Sequence, residues 1–222
     1  MAAMTEEGLR ERKKRQTRRR ISDIATGLFM TRGFDRVTVA DVARAADVSV
    51  NTVFNYFPAK EDLFFDREDA AVDGYARCLR DRRPGESAVA AFRREFLDGL
   101  AARDVRTGFH EGAETWYAVV AASPALTARL REIGRRATDA LAAALADETG
   151  AEPDDPRPRA AAAMISAARE TLVEGVVARR RAGETLAEMH ESVRTDAERV
   201  FDLLEHGLGD YAVRPSDAAA VR

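Results

Sequence analysis

The 222-residue sequence predicts an all-α fold, and three observations carry that reading. Strand signals are nearly absent, while Ala, Leu, Arg and Glu, residues that favour helix, dominate. Apolar residues recur at helical spacing, early at Ile21, Ile24, Ala25, Leu28 and Phe29 and late at Leu186, Met189, Val193, Ala197, Val200 and Leu204. The stretches between them carry helix punctuation: Gly33, Thr38, Ser49, Pro58, "RRPGES", "SP" at 123–124 and "GAEPDDPRPR".

The first helix is expected to start in the basic run near Arg12 and to stop at Gly33. Thr38 is placed as an N-cap, with Asp41 three residues on in capping-box register, and the short helix "VADVARAA" follows. "DVS" is a turn, and Ser49 caps a second short helix that ends near Phe57. Pro58 suits the first turn of a fourth helix, expected to run to about Arg83. Beyond residue 86 the chain reads as long helices. One carries Phe92, Phe96 and Leu100; a second carries Phe109, Trp116, Tyr117 and Val120; a third spans about 125–149. Two more are expected at roughly 159–182 and 184–208, the first closing on "RRRAG", whose cations and glycine suit a helix C-terminus. The domain division is 1–66, 67–208 and a small, polar tail, 209–222, read as disordered.

Composition narrows the function. Hydrophobic residues make up 45% of the chain and charged residues 33%, enough apolar content for a sizeable core. The N-terminus has no apolar signal-peptide region, and no apolar run approaches the ~20 residues that span a bilayer. A single cysteine, Cys78, excludes an internal disulfide and fits a reducing cytoplasm; its plain reading is a small buried hydrophobe. Net charge is −3, but residues 1–60 hold 12 Lys/Arg against 7 Asp/Glu, and the remainder is acidic. A basic front on an acidic body points to a polyanionic partner for the front alone. His110, His190 and His206 lack metal-ligand spacing, and the chain has no glycine-rich phosphate loop, CxxC or HExxH. No catalytic residue, metal site or cofactor is therefore expected.

"VADVARAADVSVNTVFNYF" contains two short helices joined by a three-residue turn, a helix-turn-helix. Helical spacing turns Val48, Val53 and Phe57 inward, with Val42, Ala43 and Ala46 from the helix before. It turns Val50, Asn51, Phe54 and Asn55 outward together. That face suits a major groove, where Asn can pair with adenine and an apolar side chain can meet a thymine methyl. Lys60 sits in the first turn of the next helix, where a phosphate would satisfy it and the unpaired N–H groups. Thr38, Thr52 and Tyr56 are further backbone-contact candidates. Arg18 and Arg19 belong to the run "RERKKRQTRRR" at 10–20, eight cations against one acid. That run reads either as a solvated tail or as an arm that tracks phosphates or enters the minor groove.

The stretch "ISDIATGLFMTRGFDRVTVADVARAADVSVNTVFNYFPAKEDLF" resembles the TetR family of transcriptional regulators. The resemblance covers about residues 19–63 and rests on Ala25–Phe29, Gly33-Phe34, Thr38, Val42-Ala43, Val48-Ser49, Thr52, Tyr56-Phe57 and Lys60. "TVFNYFPAKEDLFFD" looks like a subgroup common in high-GC actinobacteria. Two positions depart from the pattern. Asp47 stands where the family usually has Gly, and Asp tolerates the left-handed conformation better than most residues. Phe54 stands where the family usually has a Tyr whose hydroxyl often touches phosphate.

The resemblance implies a three-helix, helix-turn-helix DNA-binding domain followed by a helical ligand-binding and dimerisation domain. It also implies a homodimer, a palindromic double-stranded DNA operator and repression released by a small hydrophobic effector. The dimer is expected as a four-helix bundle of the last two helices, through Leu172, Val176, Met189, Val193, Val200 and Leu204. Phe92, Phe96, Phe109, Trp116, Tyr117 and Met164 suit either plain core or an apolar cavity, with His110, Glu114 and Arg169 as polar groups able to orient a ligand. An architectural DNA binder without an effector is the alternative; the long C-terminal helices argue against it.

Overall fold

The computed structural model describes residues 8–66 and 68–208. The tail expected at 209–222 lies outside the described residues. Among these residues the chain forms ten α-helices. They are α1 (Leu9–Arg32), α2 (Val39–Ala45), α3 (Val50–Tyr56), α4 (Lys60–Phe64), α5 (Glu68–Arg80), α6 (Ala88–Ala101), α7 (Ala113–Ala121), α8 (Pro124–Thr149), α9 (Arg157–Arg181) and α10 (Leu186–Leu208). A single 3-10 turn, Val105–Thr107, joins α6 to the segment before α7.

The stop and start signals work as local chemistry requires. Gly33 ends α1 at φ 85°, a conformation that a side chain would strain, and its N–H reaches the Phe29 carbonyl. The Thr38 hydroxyl accepts the Asp41 N–H at 3.1 Å, and Asp41 Oδ2 accepts the Thr38 N–H at 3.0 Å, a complete capping box. Asp47 does occupy the left-handed region, at φ 51°. One expectation fails: the helix placed from Pro58 to about Arg83 is broken. Phe65 leaves helical geometry at φ −104°, ψ 37°, after only five residues of α4. Leu63, Phe64 and Phe65 are all buried, and three consecutive residues cannot share one face of a helix, so the chain turns to bury them.

Two compact units emerge, one drawn from Met1–Arg67 and Ala118–Arg129, the other from Glu68–Tyr117 and Leu130–Arg222. The sequence division at 66 thus meets a first unit that also claims a later segment. α7 and α8 each contribute to both units. The first unit is built around Ile21, Ala25 and Phe29 of α1, with Phe34, Val42, Val53, Phe57, Leu63 and Phe64. Its rings pack tilted, Phe29 to Phe34 at 4.9 Å, or edge to face, Phe64 to Phe65 at 5.2 Å between centroids. Segment 118–129 adds buried Val120 and Leu126, and Ser123 Oγ donates to Asp35 at 2.9 Å.

The second unit packs α6 against α10 and α10 against α9. Phe92, Phe96 and Leu100 meet Ile165, Leu172 and Val176 on α9 and Met189, Val193 and Phe201 on α10. Gly108, at φ 69°, brings the 3-10 turn onto α9, where a Cβ would lie 3.3 Å from Val173.

The capping box sets a testable stability term. Thr38→Val keeps the branched shape but loses the hydroxyl, and urea unfolding should show a loss of about 1 kcal/mol at neutral pH. The Thr38 hydroxyl also holds the Asp41 carboxyl below its ordinary value of 3.8. That contribution is present above the ordinary value and is lost as pH falls through the depressed one. The gap between wild type and Thr38→Val should therefore narrow in acid.

Candidate nucleic-acid interface and effector region

α3 has only seven residues, and its surroundings define which side chains it shows. Ser49 Oγ accepts the Thr52 N–H at 3.0 Å and lies 2.8 Å from the Thr52 hydroxyl, so both hydroxyls are engaged at the helix start. Val53 and the following Phe57 are buried. Val50, Asn51, Phe54 and Asn55 all face outward, as the spacing predicts. Val50 is 39% and Phe54 47% exposed, two of the few large apolar side chains so placed among the described residues.

The cations expected at phosphates divide into two groups. Lys60 does not reach outward: its Nζ donates to the Phe34 carbonyl at 2.7 Å and lies 4.1 Å from the Phe34 ring centroid. Burial lowers its pKa, opposed by Asp35 and Glu61. The N–H of Ala59 is taken by Asp62 Oδ2 at 2.8 Å. Arg18 is likewise committed. Its Nε donates to Asp66 at 2.6 Å, its Nη1 donates to the Tyr56 carbonyl at 2.7 Å, and its guanidinium stacks 4.5 Å over the Phe57 ring. Tyr56 is half-buried, and Thr38 is exposed but held in its capping box.

The outward group lies on α1. Arg12, Lys13, Lys14 and Arg15 are exposed, and Arg19 pairs only loosely with Asp23, at 3.8 Å. This run is the start of α1, not a separate tail. A helix about 10 Å across does not enter a minor groove about 6 Å wide, so in this form the run does not act as a minor-groove arm. Three connections that the sequence reading missed position the unit: Arg20 to the Ala46 carbonyl at 2.7 Å, Ser123 to Asp35, and Arg129 to Asp62 at 3.0 Å.

In the second unit the effector candidates scatter. Phe92, Phe96 and Phe109 are core residues. Trp116 and Tyr117 are partly buried and meet edge to face at 4.8 Å; burial pushes the Tyr117 phenol up to about 12. His110 Nδ1 lies 2.9 Å from the Glu111 carbonyl, and Glu114 pairs with Arg180 at 3.2 Å. Met164 departs from its expected role: it is 50% exposed, because Ala161, Ala162 and Ile165 take the inward positions of that turn. Arg169 is not free to meet a ligand as expected. It is buried, paired with Glu95, and its guanidinium lies 5.1 Å from the Tyr75 ring and 5.7 Å from Phe96. Glu95 is shared with Arg106 at 2.8 Å, and Arg169 Nε has no hydrogen-bond partner.

The dimer candidates also divide. Leu172, Val176, Met189 and Val193 belong to the chain's own core, and Val200 and Leu204 pack partly buried against it. A cleft of about 400 Å³ between α9 and α10 is lined by Thr171, Gly175, Val176, Asp196 and Val200, among others.

A sequence profile described as bacterial regulatory proteins, tetR family, matches residues 21–66. The HTH-type transcriptional regulator TcmR of Streptomyces glaucescens is 30% identical over 166 residues, covering 72% of this chain and 73% of TcmR. The HTH-type transcriptional repressor KstR of Mycolicibacterium smegmatis is 34% identical over 80 residues, 33% of this chain and 39% of KstR. Among solved structures, the SmeT–triclosan complex shares the fold with a TM-score of 0.57 at 18% identity, over 90% of this chain and 95% of SmeT.

The division of cations is testable. Lys60→Met should lower stability by about 1.5–3 kcal/mol, the worth of a hydrogen bond from a charged group, and leave the salt slope of DNA binding unchanged. Replacing Lys13 and Lys14 by Gln should do the reverse. The slope should fall by about 0.9 for each phosphate no longer neutralised, read from binding isotherms at several salt concentrations.

Proposed function

This chain belongs to the TetR family of bacterial regulatory proteins and is a DNA-binding transcriptional regulator; we propose that it is a homodimeric repressor, released from a palindromic operator by a small, largely hydrophobic effector. The observation that carries the DNA-facing half is the outward face of α3. Two carboxamides and two apolar side chains stand together in water on a helix held at both ends. Two copies would enter successive major grooves about one helical turn or more apart.

The partner face on this reading is the outer side of α9. Ala160, Ala163, Ala167, Thr171, Gly175 and Ala178 are all exposed there, and small residues let a second helix approach closely. On α10, Leu203 is 77% exposed beside partly buried Val200 and Leu204. These exposed positions replace the buried Leu172, Val176, Met189 and Val193 as the contact surface.

The effector reading centres on the Phe92, Phe96 and Arg169 neighbourhood. An acidic group entering there would have to displace Glu95 from Arg169. Among the described residues no helix is long and apolar enough to cross a membrane, and the proposed setting is the cytoplasm, where the operator is.

Capture of genomic fragments should return a few palindromic sites; uniform coating would make the protein architectural instead. Asn51→Ala should cost about 1–3 kcal/mol at the preferred site. Gly175→Arg fills open space, since a Cβ there meets nothing within 4 Å of its own chain. It should leave far-UV circular dichroism unchanged, sediment as a monomer and lose operator binding. A Gly175→Arg dimer with full affinity would place the interface elsewhere.

A further inference from the structure

The side chains that α3 offers to DNA are chemically one-sided. From Ser49 to Phe57 the chain contains no Arg, Lys, His, Asp or Glu. Within α3 itself the exposed set is Val50, Asn51, Phe54 and Asn55. Val50 and Phe54 lie one turn apart, as do Asn51 and Asn55, so the face carries an apolar ridge beside a carboxamide ridge.

The major groove presents a different partner for each base. Guanine offers two acceptors, matched best by Arg or Lys, and cytosine offers an amino donor, matched by Asp or Glu. Adenine offers an acceptor and a donor, matched by a carboxamide, and thymine offers a methyl group, matched by an apolar side chain. Every exposed side chain of α3 has its match on an A·T pair.

Four cations of neighbouring elements are hydrogen-bonded within the unit in this structure. Lys60 and Arg18 are turned into the unit, on the Phe34 and Tyr56 carbonyls. Arg20 is held on the Ala46 carbonyl, and Arg44 of α2 is bonded to Asp41 at 3.2 Å. The loss of a hydroxyl at Phe54 points the same way, since its ring can offer a base only apolar contact.

We propose that the base pairs read by α3 in each half-site are A·T pairs, with Asn51 and Asn55 on adenine edges and Val50 and Phe54 on thymine methyl groups. Recognition is then methyl-dependent. This rests on the reading that α3 lies in a major groove. A thymine methyl excludes water from Phe54, and its removal leaves the ring facing solvent without changing any hydrogen bond of the base pair.

The test starts with selection of duplexes from a random pool by the full-length protein. A·T pairs are expected at the central positions of each half-site that α3 protects. Each thymine there is then replaced by uracil, which removes only the methyl. Binding should weaken about fourfold per contacted methyl, the worth of one buried carbon. Phe54→Ala, at an exposed position that leaves the core intact, should abolish the difference between thymine and uracil at one position. Asn55→Ala should keep that difference. Selection of G·C pairs at those positions, or equal binding of thymine and uracil duplexes, would overturn the inference while leaving operator binding in place. Failure to enrich any sequence would instead overturn the operator reading on which it stands.

Discussion

One guanidinium holds the end of α3. α3 buries a single residue of its seven and is too short to be stable by itself. Arg18 reaches it from α1, takes the Tyr56 carbonyl that the helix leaves unsatisfied, sits over the Phe57 ring, and turns its Nε to Asp66. A planar, permanently charged fork can make these three contacts at once; a lysine could not. Lys60, beyond α3, seats on the carbonyl and ring of Phe34. α3 is thus held by Arg18 at its end and by buried Val53 and Phe57 beneath it.

That division of labour explains what could be read from the sequence. Gly33, the Thr38–Asp41 capping box, Asp47 and Ser49 were legible because each acts through neighbours a few residues away. The outward face of α3 was legible because helical period alone decides it. Lys60 and Arg18 were not, because their partners lie 26 and 48 residues away and in Lys60's case is a backbone carbonyl, which leaves no mark in the side-chain pattern. The break after α4 was hidden for a similar reason. "LFF" suits a continuing helix by propensity, and only the burial of all three side chains shows that it turns.

The second unit was less legible. Its apolar stripes were visible, but a stripe on α9 or α10 does not say which half faces its own chain. Burial assigns Leu172, Val176, Met189 and Val193 to the chain's own core and leaves the small, weakly hydrophobic residues outside. Arg169 and Arg82 look like any other arginine in a sequence rich in them. Both are buried against a carboxylate, Glu95 and Glu148 respectively. Such pairs are costly to desolvate, and removing one partner is costlier still.

Segment Ala118–Arg129 has a consequence for how the protein is made. It supplies Val120, Leu126, Ser123 and Arg129 to a unit whose other residues end at 67. The first unit is therefore not a contiguous piece of chain. During synthesis it stays incomplete until Arg129 has left the ribosome, by which time α5, α6 and α7 have already emerged. A gene fragment ending at residue 67 would encode α3 and both Asp35 and Asp62, but not Ser123 and Arg129, which bond to them.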